Sequence, residues 1–191
     1  MDGVQQLDEI IPMLEDLVDA IRPDQLDAPT ACAKLTVAGV LEHMIGGATL
    51  FAPAFLGQEP PAPSTAPTTA TVQDLWRDAM AELLGAVHSP GAQERTIASP
   101  FGEVPGSMFA RYVAFDGLVH GWDLATATDQ TYAPAPSLVL EVDAFARSLL
   151  KPEMRDGDTF AAETEAGPDA NELERLVAFS GRRLGQPAAR R

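Results

Sequence analysis

Hydrophobic residues recur every three or four positions in several long stretches of this chain, and this pattern constrains the fold more than any other feature. Such spacing places the hydrophobic side chains on one face of an α-helix. Stripes of this kind begin at Val4, Val37, Val72 and Leu138, and a broader one lies within Ser107–Thr128. Alternating patterns typical of strands are sparse. We therefore predict an all-α fold, a four-helix bundle with additional short helices.

Capping residues and prolines indicate where the helices begin and end. Thr36 offers an N-cap to the second helix, and Thr71 with Asp74 has the spacing of a capping box before the third. Pro12 lies inside the first stripe, so it must either start the main helix or kink it.

The connections differ in character. Gly57–Ala70 is rich in proline, which predicts an extended surface connection, and Gly91–Gly106 suits a loop or a short hairpin. Arg155–Gly167 is acidic, and neither it nor the proline-rich stretch has hydrophobic residues spaced to pack on the bundle. Asp169 with Glu172 predicts the capping box of a last helix.

Composition excludes several classes of partner. The formal charge of −15 opposes binding to nucleic acid. No hydrophobic run approaches the roughly 20 residues that cross a bilayer, and the amino terminus lacks a signal-peptide pattern, so we expect no membrane and a cytoplasmic protein. Cys32 is the only cysteine, which excludes an intramolecular disulfide and a cysteine-based metal cluster. We expect residues 1–191 to form one domain.

The fourth predicted helix places polar groups on its hydrophobic face. On a helical wheel Asp116 lies in the middle of this face, His120 follows one turn later, and Asp123 lies near the same line. A carboxylate facing a core is unfavourable by several kcal/mol unless it is paired, protonated or bound to a cation. From this spacing alone, an Asp116–His120 pair within the core and a metal site both stay open.

A third residue favours the metal site. His43 lies in the second predicted helix near Gly39, Gly46 and Gly47, which suggests close approach of a neighbouring helix or a small ligand, or else ordinary helix packing.

With Asp116 and His120, His43 would supply two imidazoles and one carboxylate, the donors of a catalytic zinc site. The iron(II) facial triad has the same donors but usually occurs on a β-barrel. His88 ends the third helix, and we interpret it as a surface residue.

Three segments resemble the superfamily of DinB proteins and mycothiol-dependent maleylpyruvate isomerases. One runs from Thr30 to Gly47, another reads Phe115-Asp-Gly-Leu-Val-His-Gly-Trp-Asp-Leu-Ala, and the last is Leu173-Glu-Arg-Leu-Val-Ala-Phe-Ser-Gly-Arg-Arg. The last segment is similar to the ending of an actinobacterial single-domain subgroup.

The resemblance implies an up-down-down-up bundle with a divalent metal held by His43, Asp116 and His120. Zinc is the expected ion, with nickel and iron as alternatives. It also implies an enzyme that activates a small thiol for reaction with an electrophile, as a transferase or isomerase, and a homodimer. In this hypothesis Asp123 orients a ligand and Tyr112, one turn before Asp116, donates a hydrogen bond to substrate.

Two other hypotheses stay open. The same ligands suit a metal-dependent hydrolase, in which a bound hydroxide is the nucleophile. The bundle could instead bind a metal or small ligand without catalysis, as a stress-response protein, because function resides in the site and not in the fold.

Overall fold

Six α-helices and one β-hairpin make up the protein in the computed structural model, which describes residues 1–32, 34–62, 68–99, 102–155 and 160–185. The helices are α1 (Gly3–Asp19), α2 (Val37–Leu56), α3 (Val72–Val87), α4 (Gly106–Thr128), α5 (Pro136–Leu149) and α6 (Glu172–Phe179). The hairpin pairs β1 (Thr96–Ser99) with β2 (Gly102–Pro105). The predicted all-α fold is confirmed, and the hairpin lies where a loop or hairpin was expected.

Most helix ends follow from the local sequence. The Thr36 hydroxyl accepts a hydrogen bond from the backbone of Gly39, and Thr71 and Asp74 form the predicted capping box. Helix α1 runs through Pro12 without interruption, so this proline does not start the helix.

The predicted start of α6 is wrong. The capping box is formed by Asn171 and Glu174, in which the Asn171 carboxamide accepts from the Glu174 backbone at 2.9 Å and the Glu174 carboxylate accepts from the Asn171 backbone at 2.8 Å. Asp169 and Glu172 have the same spacing but lie one half-turn too early. The pair that directly precedes the hydrophobic stripe beginning at Leu173 is the one that caps the helix.

Helices α1 and α4 lie parallel and close together. A Cβ atom built on Gly117 would lie 3.1 Å from the Ile10 side chain, and one built on Gly121 would lie 2.8 Å from Leu14. Contacting residues therefore advance along both helices in the same direction. The absence of side chains at the two glycines lets the backbones approach.

The other two long helices point the opposite way. In α2, His43 lies beside His120 whereas Phe55 lies beside Phe109, so α2 runs antiparallel to α4. In α3, Arg77 bonds Asp19 near the end of α1, and the residue after α3 contacts Asp8 near its beginning. The order is thus up, down, down, up.

The parallel arrangement of α2 and α3 explains the proline-rich connection. A 20-residue helix is about 30 Å long, so the chain must travel back that distance before α3 can begin. Residues 58–62 and 68–70 are exposed and lie outside regular secondary structure. Residues 63–67, which belong to the same predicted surface connection, lie outside the described residues.

The acidic segment is more closely attached to the bundle than its sequence suggests. The ring of Phe160 stacks on Phe115 with a centroid distance of 6.2 Å, and the Thr164 backbone donates to the Ala178 carbonyl at 3.0 Å. The expectation that no hydrophobic residue of this segment packs on the bundle is wrong, because a single phenylalanine suffices. Residues 156–159 of the segment lie outside the described residues.

The expectation that no hydrophobic stretch approaches the length needed to cross a bilayer is wrong for helix α2. It has 20 residues and a mean hydropathy of 1.3, so among the described helices it alone is long and apolar enough to cross a membrane. Core helices of bundles meet the same criterion. The buried positions of α2 include Val40, Leu41 and Met44, which belong to the hydrophobic core shared by all six helices.

The close contact of α1 with α4 yields a stability prediction. We expect Gly121→Ala to lower the free energy of unfolding by about 1–3 kcal/mol, because the added methyl group would lie 2.8 Å from Leu14 of α1 and 2.6 Å from the Tyr132 ring. Urea unfolding of metal-free protein measures this change. Gly85→Ala, in α3 with no atom within 4 Å of the added carbon, is the matched control and should raise stability by up to about 1 kcal/mol. Equal effects of the two substitutions would contradict the prediction.

Candidate metal centre

Helices α2 and α4 bring three potential metal ligands together. His43 projects from α2, and Asp116 and His120 lie one turn apart on α4. The Asp116 carboxylate oxygen is 3.6 Å from His43 Nε2 and 3.5 Å from His120 Nε2, and one ligand atom from each residue lies within 4.8 Å of the others. We refer to these residues as the trio.

The two distances from Asp116 to the histidines fit a divalent cation. Two donor atoms that each lie ~2.1 Å from a tetrahedral ion are about 3.4 Å apart, close to the distances between Asp116 and either histidine. The side chains of His43 and Asp116 keep 49% and 45% of their surface exposed, whereas His120 keeps 6%. The trio can thus hold an ion on one side and leave another side open.

A buried carboxylate orients His120. Asp123 Oδ2 lies 3.0 Å from His120 Nδ1, and the Asp123 side chain has no exposed surface. If Nδ1 donates to this carboxylate, the lone pair of Nε2 faces Asp116 and any cation, as a metal ligand requires.

The Asp123 carboxylate is paired with a residue that follows α6. Arg182 donates to Asp123 through two nitrogens, at 2.9 and 3.4 Å. Gly181 directs this arginine inward with a φ of 98°, at a position where a Cβ atom would lie 2.8 Å from Ala161. The ion pair compensates the burial of the Asp123 charge.

The charges within the trio depend on one another. Loss of hydration in the cavity raises the pKa of Asp116 although its side chain is only half buried, but the imidazoles of His120 and His43 outweigh this effect and hold that pKa well below its ordinary value. Burial lowers the pKa of His120, whereas Asp116 and Asp123 outweigh burial and raise this pKa to about 10. Without a cation, His120 therefore keeps its proton at neutral pH. A cation has to displace that proton in order to bind.

The open side of the trio faces a cavity of about 400 Å³. Arg182, Cys32 and Lys34 lie in its wall together with the trio. Most of the remaining wall is hydrophobic. A small molecule in this cavity would lie against the trio.

The structure places the other predicted residues as follows. Tyr112 lies in the cavity wall with its ring 5.3 Å from that of Phe145, and burial raises the pKa of its hydroxyl. His88 is exposed and pairs with Asp8 at 2.7 Å.

The glycines near His43 do not have a neighbouring helix packed against them. A Cβ atom on Gly46 would meet nothing within 4 Å, and the nearest atoms to Gly39 and Gly47 belong to Leu35 and Phe51 of their own segment. The expected close approach of a helix is therefore wrong. Gly47 instead lies in the cavity wall, where a small ligand could approach it.

Sequence reasoning missed Arg182. The position of Asp123 on the hydrophobic face of α4 implies a cationic partner, but the chain contains 13 lysines and arginines. Arg182 follows α6, beyond any helical periodicity, and the closing segment that resembles the family includes it without assigning it a role. Only the packing of the chain end against α4 brings it to the site.

The fold and the trio together define an all-α, DinB-like bundle with a candidate metal site. Residues 7–125 match the family model of the mycothiol maleylpyruvate isomerase N-terminal domain. The chain belongs to this family.

Two curated relatives come from strains of Mycobacterium tuberculosis, the uncharacterized proteins MT0763 and Rv0738. Each is 34% identical over 168 residues, which cover 87% of this chain and 90% of the relative. No solved structure matches the chain significantly.

Loss of any trio residue should abolish stoichiometric metal binding. We expect one ion per chain in wild type expressed with added zinc, and below roughly a tenth of that in His43→Ala, Asp116→Asn and His120→Ala, because two ligands hold an ion poorly. Elemental analysis measures the content. In chelator-treated protein, Asp116→Asn should change the free energy of unfolding by at most about 1 kcal/mol, since the carboxylate is half exposed.

The pair of His88 and Asp8 provides a matched control, since it joins a histidine and a carboxylate without a third ligand. His88→Ala and Asp8→Asn should keep the wild-type metal content. Wild type that contains no metal, or trio variants that all retain it, would show that the trio is not a metal site.

A second prediction concerns the residue behind His120. Asp123→Asn keeps the size of the side chain but removes the charge that orients His120, and we expect about 10–100-fold weaker metal affinity. Competition against a fluorescent zinc chelator measures the affinity. Unchanged affinity together with a lower free energy of unfolding would mean that Asp123 supports only the fold.

Proposed function

We propose that the protein is a metal-dependent enzyme that activates a low-molecular-weight thiol for attack on an electrophilic substrate, as a thiol transferase or isomerase. The observation that carries this proposal is the open side of the trio, which faces a cavity of about 400 Å³. The family's description names mycothiol, which is therefore the first thiol to test.

The donor set supports a particular choice of metal. Two imidazoles and one carboxylate suit zinc, and nickel and iron are the alternatives. A divalent cation held by the trio lowers the pKa of a coordinated thiol, so that a thiolate is available near neutral pH.

The chain's own residues bind and orient in this proposal. Asp123 holds His120 through Nδ1, and the Arg182 guanidinium bonds the Asp123 carboxylate in the interior. Tyr112 lies in the cavity wall, and in this proposal its hydroxyl donates a hydrogen bond to the substrate. In a transfer, the sulfur forms a bond to the electrophilic carbon, the thiol proton passes to solvent, and either a leaving group departs or a proton adds to the neighbouring atom. In an isomerisation, the sulfur adds to a double bond, the resulting single bond rotates, and the carbon–sulfur bond then breaks and releases the thiol.

The experiment is an assay of zinc-loaded protein with mycothiol and a panel of electrophiles. Loss of free thiol measures a transferase, and a change in the absorbance of the electrophile at constant thiol measures an isomerase. Turnover should require thiol and fall at least about 100-fold in His43→Ala, while His88→Ala keeps the wild-type rate. Equal turnover without thiol would favour the metal-dependent hydrolase instead. Bound metal without turnover against any electrophile would favour a non-catalytic binding protein.

Two expectations accompany the proposal without supporting it. A homodimer and a cytoplasmic location stay predictions. The exposed side chains of Leu50 and Leu56 on α2 offer a hydrophobic surface for a second copy.

A further inference from the structure

The cavity at the trio continues into the bundle as a hydrophobic space. Helix α1 contributes Leu7, Ile10 and Leu14 to its wall, and α2 contributes Met44 and Ala48. Each of these side chains is buried. The volume of about 400 Å³ lies within the usual range of small-molecule pockets and is more than twice that of a hydrophobic cavity that holds benzene, ~150 Å³.

Aromatic rings hold part of this wall in place. Phe51 meets Phe109 edge to face with a centroid distance of 4.9 Å, and Phe160 stacks on Phe115. All four rings lie in the cavity wall. Mutual packing restricts these side chains, so the space needs little rearrangement before a ligand enters.

Charged side chains are few in the described wall of the cavity. Apart from the trio, the charged residues of its described wall are Lys34 and Arg182, and the Arg182 guanidinium already bonds Asp123. The part of the wall formed by α1 and by Met80 and Leu83 of α3 carries no charged side chain. A ligand that placed an anionic group against this part of the wall would lose the hydration of that group without gaining a charged partner for it.

We infer that the substrate of this site has an apolar body, alkyl or aryl, that occupies the cavity while its polar reacting group lies at the trio. This inference rests on the proposed function and names the class of its electrophile. Scaling from benzene, the space accommodates up to roughly fifteen non-hydrogen atoms, including the polar group.

A series of hydroxamates tests the inference by binding. Acetohydroxamate carries only the metal-binding group, and butano-, hexano- and octanohydroxamate add an alkyl tail. Calorimetry on zinc-loaded protein should show weak binding of acetohydroxamate and a Kd that falls about three- to fourfold with each added methylene until the cavity is full.

Substitution of Ala48 locates the effect. Ala48→Phe fills the cavity, so acetohydroxamate should bind as to wild type while the dependence on tail length disappears. Ala48→Val serves if the larger side chain prevents folding, and circular dichroism checks both variants. Ala52→Val, one turn further along α2 and equally buried but outside the cavity wall, is the matched control and should keep the dependence.

The outcomes separate the two proposals. Binding of acetohydroxamate with a Kd that does not change along the series would overturn the apolar substrate class and leave the metal site intact. If acetohydroxamate does not bind, the proposed metal chemistry fails, and heptan-1-ol on metal-free protein then tests the cavity alone. Binding of heptan-1-ol that is lost in Ala48→Phe would support the cavity, and no binding would overturn it.

Discussion

The site depends on the contacts of the buried Asp123 carboxylate with His120 and Arg182. A charge without any exposed surface is tolerated only where partners surround it, and here they are His120 on its own helix and Arg182 from the chain end. The same contact therefore fixes a candidate ligand and anchors the segment after α6. Removal of either partner would leave a charge in the interior, so folding and ligand geometry are coupled at this point.

The long helices and the shared face of Asp116 and His120 could be predicted from the sequence because both depend on local periodicity. Asp116 and His120 share a face through the helical repeat alone, and His43 was selected by its residue type within a hydrophobic helix. Arg182 could not be predicted, since its place depends on how separate parts of the chain pack. The start of α6 was missed for a different reason: two overlapping polar pairs offered the same capping pattern.

The antiparallel course of α2 and α4 explains why a metal site and a hydrophobic cavity adjoin. His43 meets His120 near one end of the pair, whereas Phe55 meets Phe109 further along, so the space between the helices changes from polar to hydrophobic. Small residues such as Gly47 and Ala48 leave room there. The polar chemistry and the hydrophobic wall are thus two parts of one helix interface.

The parallel contact of α1 with α4 has a consequence for how the chain folds. Ile10 meets Gly117 and Leu14 meets Gly121, so each contact joins residues 107 positions apart (117 − 10 and 121 − 14). At a synthesis rate of about 5–20 residues per second, several seconds or more pass between the synthesis of α1 and that of the α4 residues it contacts. Non-local pairing of this kind slows folding relative to bundles with short connections. In the nascent chain, the side of α1 that packs on α4 therefore stays uncovered until α4 has emerged from the ribosome, even where α3 already contacts α1.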